Sequence, residues 1–219
     1  MRWRLKRILL VLGVGLPLAW WIPANVLVNT GFLPDYINSD PESWRMRWSH
    51  AWSPWPGRVY VRGYELRSQD NDVQWELTID RATARIELGA LLRREFRTRW
   101  VEARGVEFRI RPRLRRGEEG AERRIALYPP IRGARDSYVP EAPMPEPDRI
   151  DERRWSAKLE GVTVKEIRQV WVAAWRAVVD AQAKGRVTVR PGRYVLHEGP
   201  STLWIRHAEV FEAETRIAH

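Results

Sequence analysis

The sequence contains no cysteine, which excludes disulfide bonds, thiolate zinc sites and cysteine nucleophiles. Histidine is scarce too, and His50, His197, His207 and His219 never occur at the close spacing of a metal-binding pair. No glycine-rich phosphate loop follows a predicted strand, and there is no G-x-S-x-G motif. We therefore expect no catalytic residue, no metal site and no cofactor, and we do not expect an enzyme.

Charge is missing from the amino-terminal region, where no charged residue lies between Arg7 and Asp35. A helix over residues 8–28 would cover the roughly 30 Å hydrocarbon core of a bilayer, and the basic residues before it would keep the amino end in the cytoplasm. A cleaved signal peptide is the alternative, but the apolar run is long and no small-x-small cleavage site follows it. The sequence thus predicts an uncleaved membrane anchor over residues 1–34, with the remainder outside the cytoplasm.

What the chain has is basic charge and tryptophan. Lys and Arg number 38 against 28 Asp and Glu, and the formal net charge of +10 favours anionic surfaces such as phospholipid headgroups, nucleic acid or acidic polymers. The 13 tryptophans outnumber the 4 phenylalanines and 6 tyrosines together, which indicates apolar surfaces that meet water or headgroups. The hydrophobic content of 44% is sufficient for a folded domain.

Tryptophans are densest in residues 43–57, SWRMRWSHAWSPWPG. Their spacing makes one aromatic stripe on either a strand or a helix, so periodicity does not choose between the two. The first interpretation is an aromatic face packed in the core, and the second is a surface that contacts the membrane beside the anchor. The membrane-interface residues of the second interpretation are Trp20, Trp21, Trp44, Trp48 and Trp52.

Short alternating runs bounded by turn residues dominate from residue 58 onward and predict a mainly β domain. They cover residues 58–67, 72–80, 82–88, 95–104, 106–112, 155–164, 185–196 and 202–212. Residues 59–67, VYVRGYELR, and 101–109, VEARGVEFR, repeat one scheme. In both copies the apolar residues are odd-numbered before the glycine, Gly63 or Gly105, and even-numbered after it. This change of parity predicts a bulge or bend at the glycine.

Three further segments complete the survey. Residues 164–185 fit a helix by the spacing of Ile167, Val170 and Trp171 and fit a strand by their valines, so both assignments stay open. Residues 113–154, rich in proline and mixed charge, predict a long mobile loop. A last group of acidic residues is expected to lie on one solvated face. That group consists of Asp70, Asp72, Glu76 and Asp80.

The order of these features resembles the amino-terminal part of AsmA-like proteins. Those are membrane-anchored periplasmic proteins related to TamB and YhdP and, more remotely, to chorein-type bridge-like lipid transfer proteins. The resemblance rests on the anchor, then RVYVRGYELR, then VQWELTIDRATARIELGALLRREF, then VEARGVEFRIRP. It covers residues 1–112 well and 155–210 loosely, and the loop between them matches no part of the pattern.

The resemblance implies one transmembrane helix followed by a curled antiparallel sheet that forms an open apolar groove for phospholipid acyl chains. The groove would comprise residues 35–112 and 155–219, with the loop 113–154 between them, and the protein would lie in the cell inner membrane with its bulk in the periplasm. A closed β-sandwich with a dry core is the competing interpretation. The implied groove residues are Val59, Val61, Val73, Trp75, Leu77, Ile79, Ile86, Leu88, Phe108 and Ile110.

Three classes of function follow from this interpretation. Lipid binding or conduction between membranes comes first, and a structural or assembly role for envelope proteins without lipid transport comes second. A nucleic-acid binder comes third and conflicts with the predicted location. The expected partners are phospholipid, the inner membrane and other envelope chains that stack on an open sheet edge, so the chain is expected to be a subunit or to be incomplete relative to its relatives.

Overall fold

The structure is a computed structural model, and it describes residues 15–30, 38, 44–134, 136–141, 156–190, 193–195, 203–212 and 215–218. The helices in these ranges are α1 (Leu16–Asn29), α2 (Leu88–Leu91) and α3 (Ala121–Ala126). The strands are β1 (Trp44–Arg47), β2 (His50–Trp55), β3 (Arg58–Gln69), β4 (Val73–Ile86), β5 (Glu95–Pro112), β6 (Ser156–Val172), β7 (Trp175–Arg190), β8 (Arg193–Val195), β9 (Leu203–Glu212) and β10 (Thr215–Ala218).

The strands form one 10-stranded sheet whose main order is β1-β3-β4-β5-β6-β7-β9-β10, with β2 also paired to β3 and β8 to β7. Every pair is antiparallel except β5 with β6. The prediction of a mainly β fold with an open sheet is confirmed. The sheet is uncurled, however, so the predicted curl into a groove is not seen.

Several predicted runs merge into longer strands. The runs 72–80 and 82–88 merge into β4, apart from residue 72 before the strand and residues 87–88 after it. The runs 95–104 and 106–112 both lie within β5. The ambiguous segment 164–185 is strand throughout, apart from the turn between β6 and β7. Its helical spacing does not decide the structure, because β6 finds a hydrogen-bonding strand on each side, in β5 and β7.

Gly63 and Gly105 both have positive φ, +59° and +67°, a conformation that costs glycine little. The pairing register of β3 with β4, and of β4 with β5, does not shift at these glycines. Each glycine therefore lies opposite Asp80 of β4. No extra residue is inserted at either glycine, so the predicted bulge is absent there and the positive φ accompanies the change of apolar parity instead. We call Gly63, Asp80 and Gly105 the glycine line.

Helix α1 lies beside β2 at one edge of the sheet and spans about 21 Å at 1.5 Å per residue. None of the described helices is both long enough and apolar enough to cross a bilayer. This finding overturns the prediction of a single-pass inner-membrane protein with a cytoplasmic amino end and a periplasmic bulk. Residues 1–14 and 31–34 of the predicted anchor lie outside the described residues.

The segment that joins β5 to β6 packs on the sheet where it is described, over residues 113–134 and 136–141. Leu114 forms an isolated parallel bridge with Tyr138, and Leu114, Ile131 and Pro129 are buried. Gln74, Glu76 and Arg111 of the sheet bond the described part of this segment and hold it against one face. Residues 142–154, the rest of the predicted mobile loop, lie outside the described residues. We call residues 113–141 the crossover segment.

Candidate functional site

Apolar side chains form continuous rows across β3, β4, β5 and β6. Residues that stand opposite one another on paired strands lie on the same face of a sheet, so a row of apolar partners makes a strip at right angles to the strands. We call the following rows the apolar rows. They are Val59-Ala84-Val101-Val162, Val61-Ala82-Ala103-Val164, Tyr64-Ile79-Val106-Ile167, Leu66-Leu77-Phe108-Val170 and Trp75-Ile110-Val172.

The glycine line divides these rows. In β4 the apolar residues are odd-numbered before Asp80 and even-numbered after it, and β3 and β5 change parity at Gly63 and Gly105. Because three adjacent strands change parity at the same level, apolar residues remain opposite apolar residues on both sides of the line. Because β4 continues through Asp80 without an inserted residue, its apolar residues after Asp80 lie on the other face of the sheet from those before it.

Most of the predicted groove residues belong to the apolar rows. Val73, opposite Pro112, and Ile86, opposite Thr98, lie in strand positions beyond the ends of these rows. Leu88 is the exception, because it begins the short helix α2 instead of continuing β4. The strand residues of the set are half-buried, and the rings of Trp75 and Phe108 contact each other with centroids 6.3 Å apart.

No described element forms a second layer over the apolar rows. The packing between elements involves strands that are neighbours in the sheet, together with α1 on β2 and α2 on β5. The crossover segment lies on the opposite face of β4, because it bonds Gln74 and Glu76, which alternate with Trp75 and Leu77. In the described part of the chain the sheet therefore has one covered face at this end and one uncovered apolar face.

A buried ionic cluster joins the crossover segment to the sheet. The Glu76 side chain is fully buried, with Oε2 3.1 Å from Arg109 Nη1 and Oε1 3.5 Å from Arg132 Nε. Arg67 donates a hydrogen bond to the Arg132 carbonyl oxygen. The prediction that Glu76 lies on a solvated face is wrong, because residues distant in sequence cover it.

The neighbouring contacts continue this network. Arg111 Nε donates to Gln74 Oε1 at 2.8 Å, and Arg111 Nη1 donates to the Pro129 carbonyl oxygen at 3.2 Å. Gln74 Nε2 donates to the Asp136 carbonyl oxygen at 2.9 Å. Burial lowers the pKa of Arg111, because desolvation disfavours its charged form. These contacts join the crossover segment to β4 and β5.

The predicted membrane-interface tryptophans lie in different surroundings. Trp21 of α1 and Trp52 of β2 are exposed, and Trp20 is half-buried. Trp48 is half-buried and its Nε1 donates to the Val28 carbonyl oxygen at 2.7 Å, so it holds α1 to the sheet. Trp44 lies in β1 opposite Ser68.

Three asparagines cap the edge of the sheet, and the sequence interpretation missed them. Asn25 pairs with the backbone of Ser53, Asn29 with that of Ala51, and Asn38 with that of Met46. Each side-chain amide donates one hydrogen bond to its strand residue and accepts one from it. Four residues of helix rise about 6 Å and two residues of strand about 6.7 Å, so Asn25 and Asn29 match alternate residues of β2. The motif NVLVN, with polar residues four apart in an apolar helix, was the available signal.

The described residues contain no cluster of His, Cys, Asp or Glu suited to a metal ion. The candidate site is an apolar surface of the sheet whose opposite face is covered by the crossover segment at Gln74 and Glu76. No family model matches the chain, and neither does any curated protein or solved structure.

Proposed function

We propose that the chain binds phospholipid through the apolar rows, with acyl chains lying against the sheet and headgroups in water. The observation that carries the proposal is the run of apolar partners across β3 to β6 in the rows that pass through Trp75, Leu77 and Ile79, on a face with no second layer over it in the described part of the chain. Large side chains such as Trp75, Leu77 and Phe108 are left half-buried there. A hydrocarbon ligand would bury their remaining apolar surface, which is favourable by about 25 cal/mol per Å².

The apolar rows suit chains of variable length and identity. Hydrophobic contact is non-directional, and the rows present no hydrogen-bonding group apart from the Tyr64 hydroxyl, the Trp75 indole nitrogen and the peripheral Ser68. Acyl chains would therefore be held without a preferred register and could slide along the sheet. The resemblance to AsmA-like proteins supports the same proposal, in which the uncurled apolar face takes the place of the expected groove.

Native mass spectrometry of the detergent-extracted protein tests the proposal. We expect phospholipid to copurify with the wild-type chain and to be lost in Leu77→Asp, which puts a charge in the middle of an apolar row. Leu92→Asp is the matched control, because Leu92 is 90% exposed on the turn after α2 and away from the rows. It should retain the lipid.

Circular dichroism decides whether the loss reflects binding or folding. A folded Leu77→Asp variant without lipid supports an open binding face, since the same change in a closed core would unfold the domain. A wild-type chain that purifies without lipid and takes up none from labelled phospholipid would contradict the proposal. The alternative assembly role would then be favoured if the lipid-free chain forms a stable complex with an envelope β protein.

A further inference from the structure

Arginines stand opposite one another on β3, β4 and β5 on the side of the glycine line where β3 begins, at positions that alternate with the apolar rows of Val59 and Val61. Arg58 lies opposite Arg85, and Arg62 lies opposite Arg81, which lies opposite Arg104. All of these side chains are exposed. Directly opposed residues have Cβ atoms roughly 4.5–5.5 Å apart, and like charges in such pairs are destabilising. A bound anion would relieve that repulsion.

Few carboxylates neutralise this group. Arg104 pairs with Glu102 at 2.9 Å and lies 3.8 Å from Glu166, but Glu102 also accepts from Lys165 at 2.9 Å. In the ranges that the structure describes, Arg62, Arg81 and Arg85 form no ion pair. The local charge is therefore positive, in keeping with the net charge of +10 for the whole chain.

Aromatic rings adjoin the arginines. The Arg58 guanidinium lies 5.2 Å from the ring centre of Tyr60 and 5.9 Å from that of Trp100. Tyr60 contacts Trp52, with ring centroids 6.0 Å apart. Trp52 in turn lines an apolar cleft of about 540 Å³ between α1 and β2, together with Trp21 and other residues of both elements. The charged and aromatic surfaces are thus continuous.

Helix α1 extends this surface with exposed apolar side chains. Leu18, Ile22, Val26 and Leu27 are exposed to about the same degree as Trp21, and Trp55 at the end of β2 is 62% exposed. Nucleic acid would use the arginines and the rings but would leave the aliphatic side chains of α1 in water. A bilayer accommodates all of them, with phosphates at the arginines, indoles at headgroup level and aliphatic groups at the acyl boundary.

We propose that the arginine–tryptophan surface, formed by Arg58, Arg62, Arg81, Arg85, Trp52 and Trp55 together with the exposed side of α1, docks on the surface of an anionic phospholipid bilayer. The arginines bind lipid phosphates, and the tryptophans and α1 enter the headgroup layer. The surface does not include the apolar rows, so this inference is independent of the proposed function.

Flotation with phosphatidylcholine vesicles, prepared with and without phosphatidylglycerol, tests the docking surface. We expect binding to require phosphatidylglycerol and to weaken as salt is raised, because exposed charges are screened. Arg62→Gln/Arg81→Gln should weaken binding by about thirtyfold, since each basic residue near an anionic surface contributes about 1 kcal/mol. Arg93→Gln/Arg123→Gln removes the same charge from two exposed sites elsewhere and should change binding little.

Other readouts separate docking from folding and from lipid retention. Arg62→Gln/Arg81→Gln should be at least as stable as the wild type, since it removes opposed like charges, and should still copurify with phospholipid if the apolar rows bind it. Trp55→Ser should also weaken vesicle binding. Equal losses in the two arginine double variants would overturn the proposal, because net charge alone would then explain binding. Tight binding of a single-stranded oligonucleotide, with no binding to vesicles, would overturn it in favour of nucleic acid.

Discussion

The carboxylate of Asp80 on β4 lies against Gly105 on β5 so closely that a β-carbon at residue 105 would overlap it. Asp80 is also held from β6, where Arg168 Nη2 lies 2.5 Å from its Oδ2. The glycine line therefore depends both on the positive φ of Gly105 and on the space that its missing side chain leaves. These two requirements can be measured separately.

Gly105→Ala should lower the free energy of unfolding by about 3 kcal/mol or more, because the left-handed conformation costs about 1–2 kcal/mol and overpacking adds to it. Gly117→Ala is the control, since Gly117 has φ of +79° but open space at the β-carbon. It should cost only about 1–2 kcal/mol in urea titrations. In an Asp80→Gly background the cost of Gly105→Ala should fall towards that of the control. Equal costs in both backgrounds would show that Asp80 is not the obstacle.

Glu76→Gln should lower the free energy of unfolding by about 1.5–3 kcal/mol, because it removes the buried charge that Arg109 and Arg132 share and leaves Arg109 with Glu107 as its remaining carboxylate partner. Glu118→Gln breaks an exposed ion pair with Arg124 and should cost less than about 1 kcal/mol. Limited proteolysis should also cut the crossover segment faster in Glu76→Gln, because local opening requires fewer contacts to break. Similar stability losses in the two variants would contradict the buried role of Glu76.

Acid should weaken the contact between β5 and β6. Hydrogen bonds from Lys165 and then Arg104 lower the pKa of Glu102 below its ordinary value of 4.5. Its contribution to stability is therefore complete above about pH 4.5 and is lost as the pH falls through the lower folded value. The difference in unfolding free energy between wild type and Glu102→Gln should shrink over that window. The exposed Glu119→Gln is the control, and a constant Glu102→Gln difference down to pH 2 would exclude this linkage.

Asn25→Leu/Asn29→Leu should destabilise the chain and promote self-association. The substitution leaves the backbone groups of Ala51 and Ser53 without their partners, at a cost of about 1–3 kcal/mol for each buried group, and it opens β2 to strands of other molecules. Sedimentation velocity measures the association. Thr30→Val, which removes one exposed hydrogen bond from the end of the same helix, should leave the chain unassociated. A monomeric double asparagine variant would show that the edge is protected in another way.

The alternation of apolar and polar residues was sufficient to predict β3, β4 and β5. The two faces of each strand have different surroundings, so successive residues differ in polarity. The alternation split β4 and β5 into shorter runs because parity changes at Asp80 and Gly105 while pairing continues. Residues 164–185 could not be assigned locally, since their strand state is fixed by β5, a partner distant in sequence. The apolar rows were largely predictable for the same reason that β4 was.

The ionic cluster and the amino-terminal helix were predicted less well. Glu76 looks solvated in the sequence because Arg132, which covers it, belongs to the crossover segment. The apolar run that contains α1 predicts a membrane span. Asn25 and Asn29 interrupt that run because they bond the backbone of β2, and this contact is visible only in the folded structure. Composition could not distinguish a helix that pairs with a strand edge from one that enters a bilayer.

The parallel pairing of β5 and β6 has a geometric consequence. β5 ends at Pro112, whereas β6 starts at Ser156 level with Glu95, so the connection must travel back about 55 Å, nearly the length of the sheet. A return path of that length has to run along one side or the other. The described part of that return lies over Gln74 and Glu76, so the chain's own backbone takes up one side of this end of the sheet and leaves the side of Trp75 and Leu77 outside its path there.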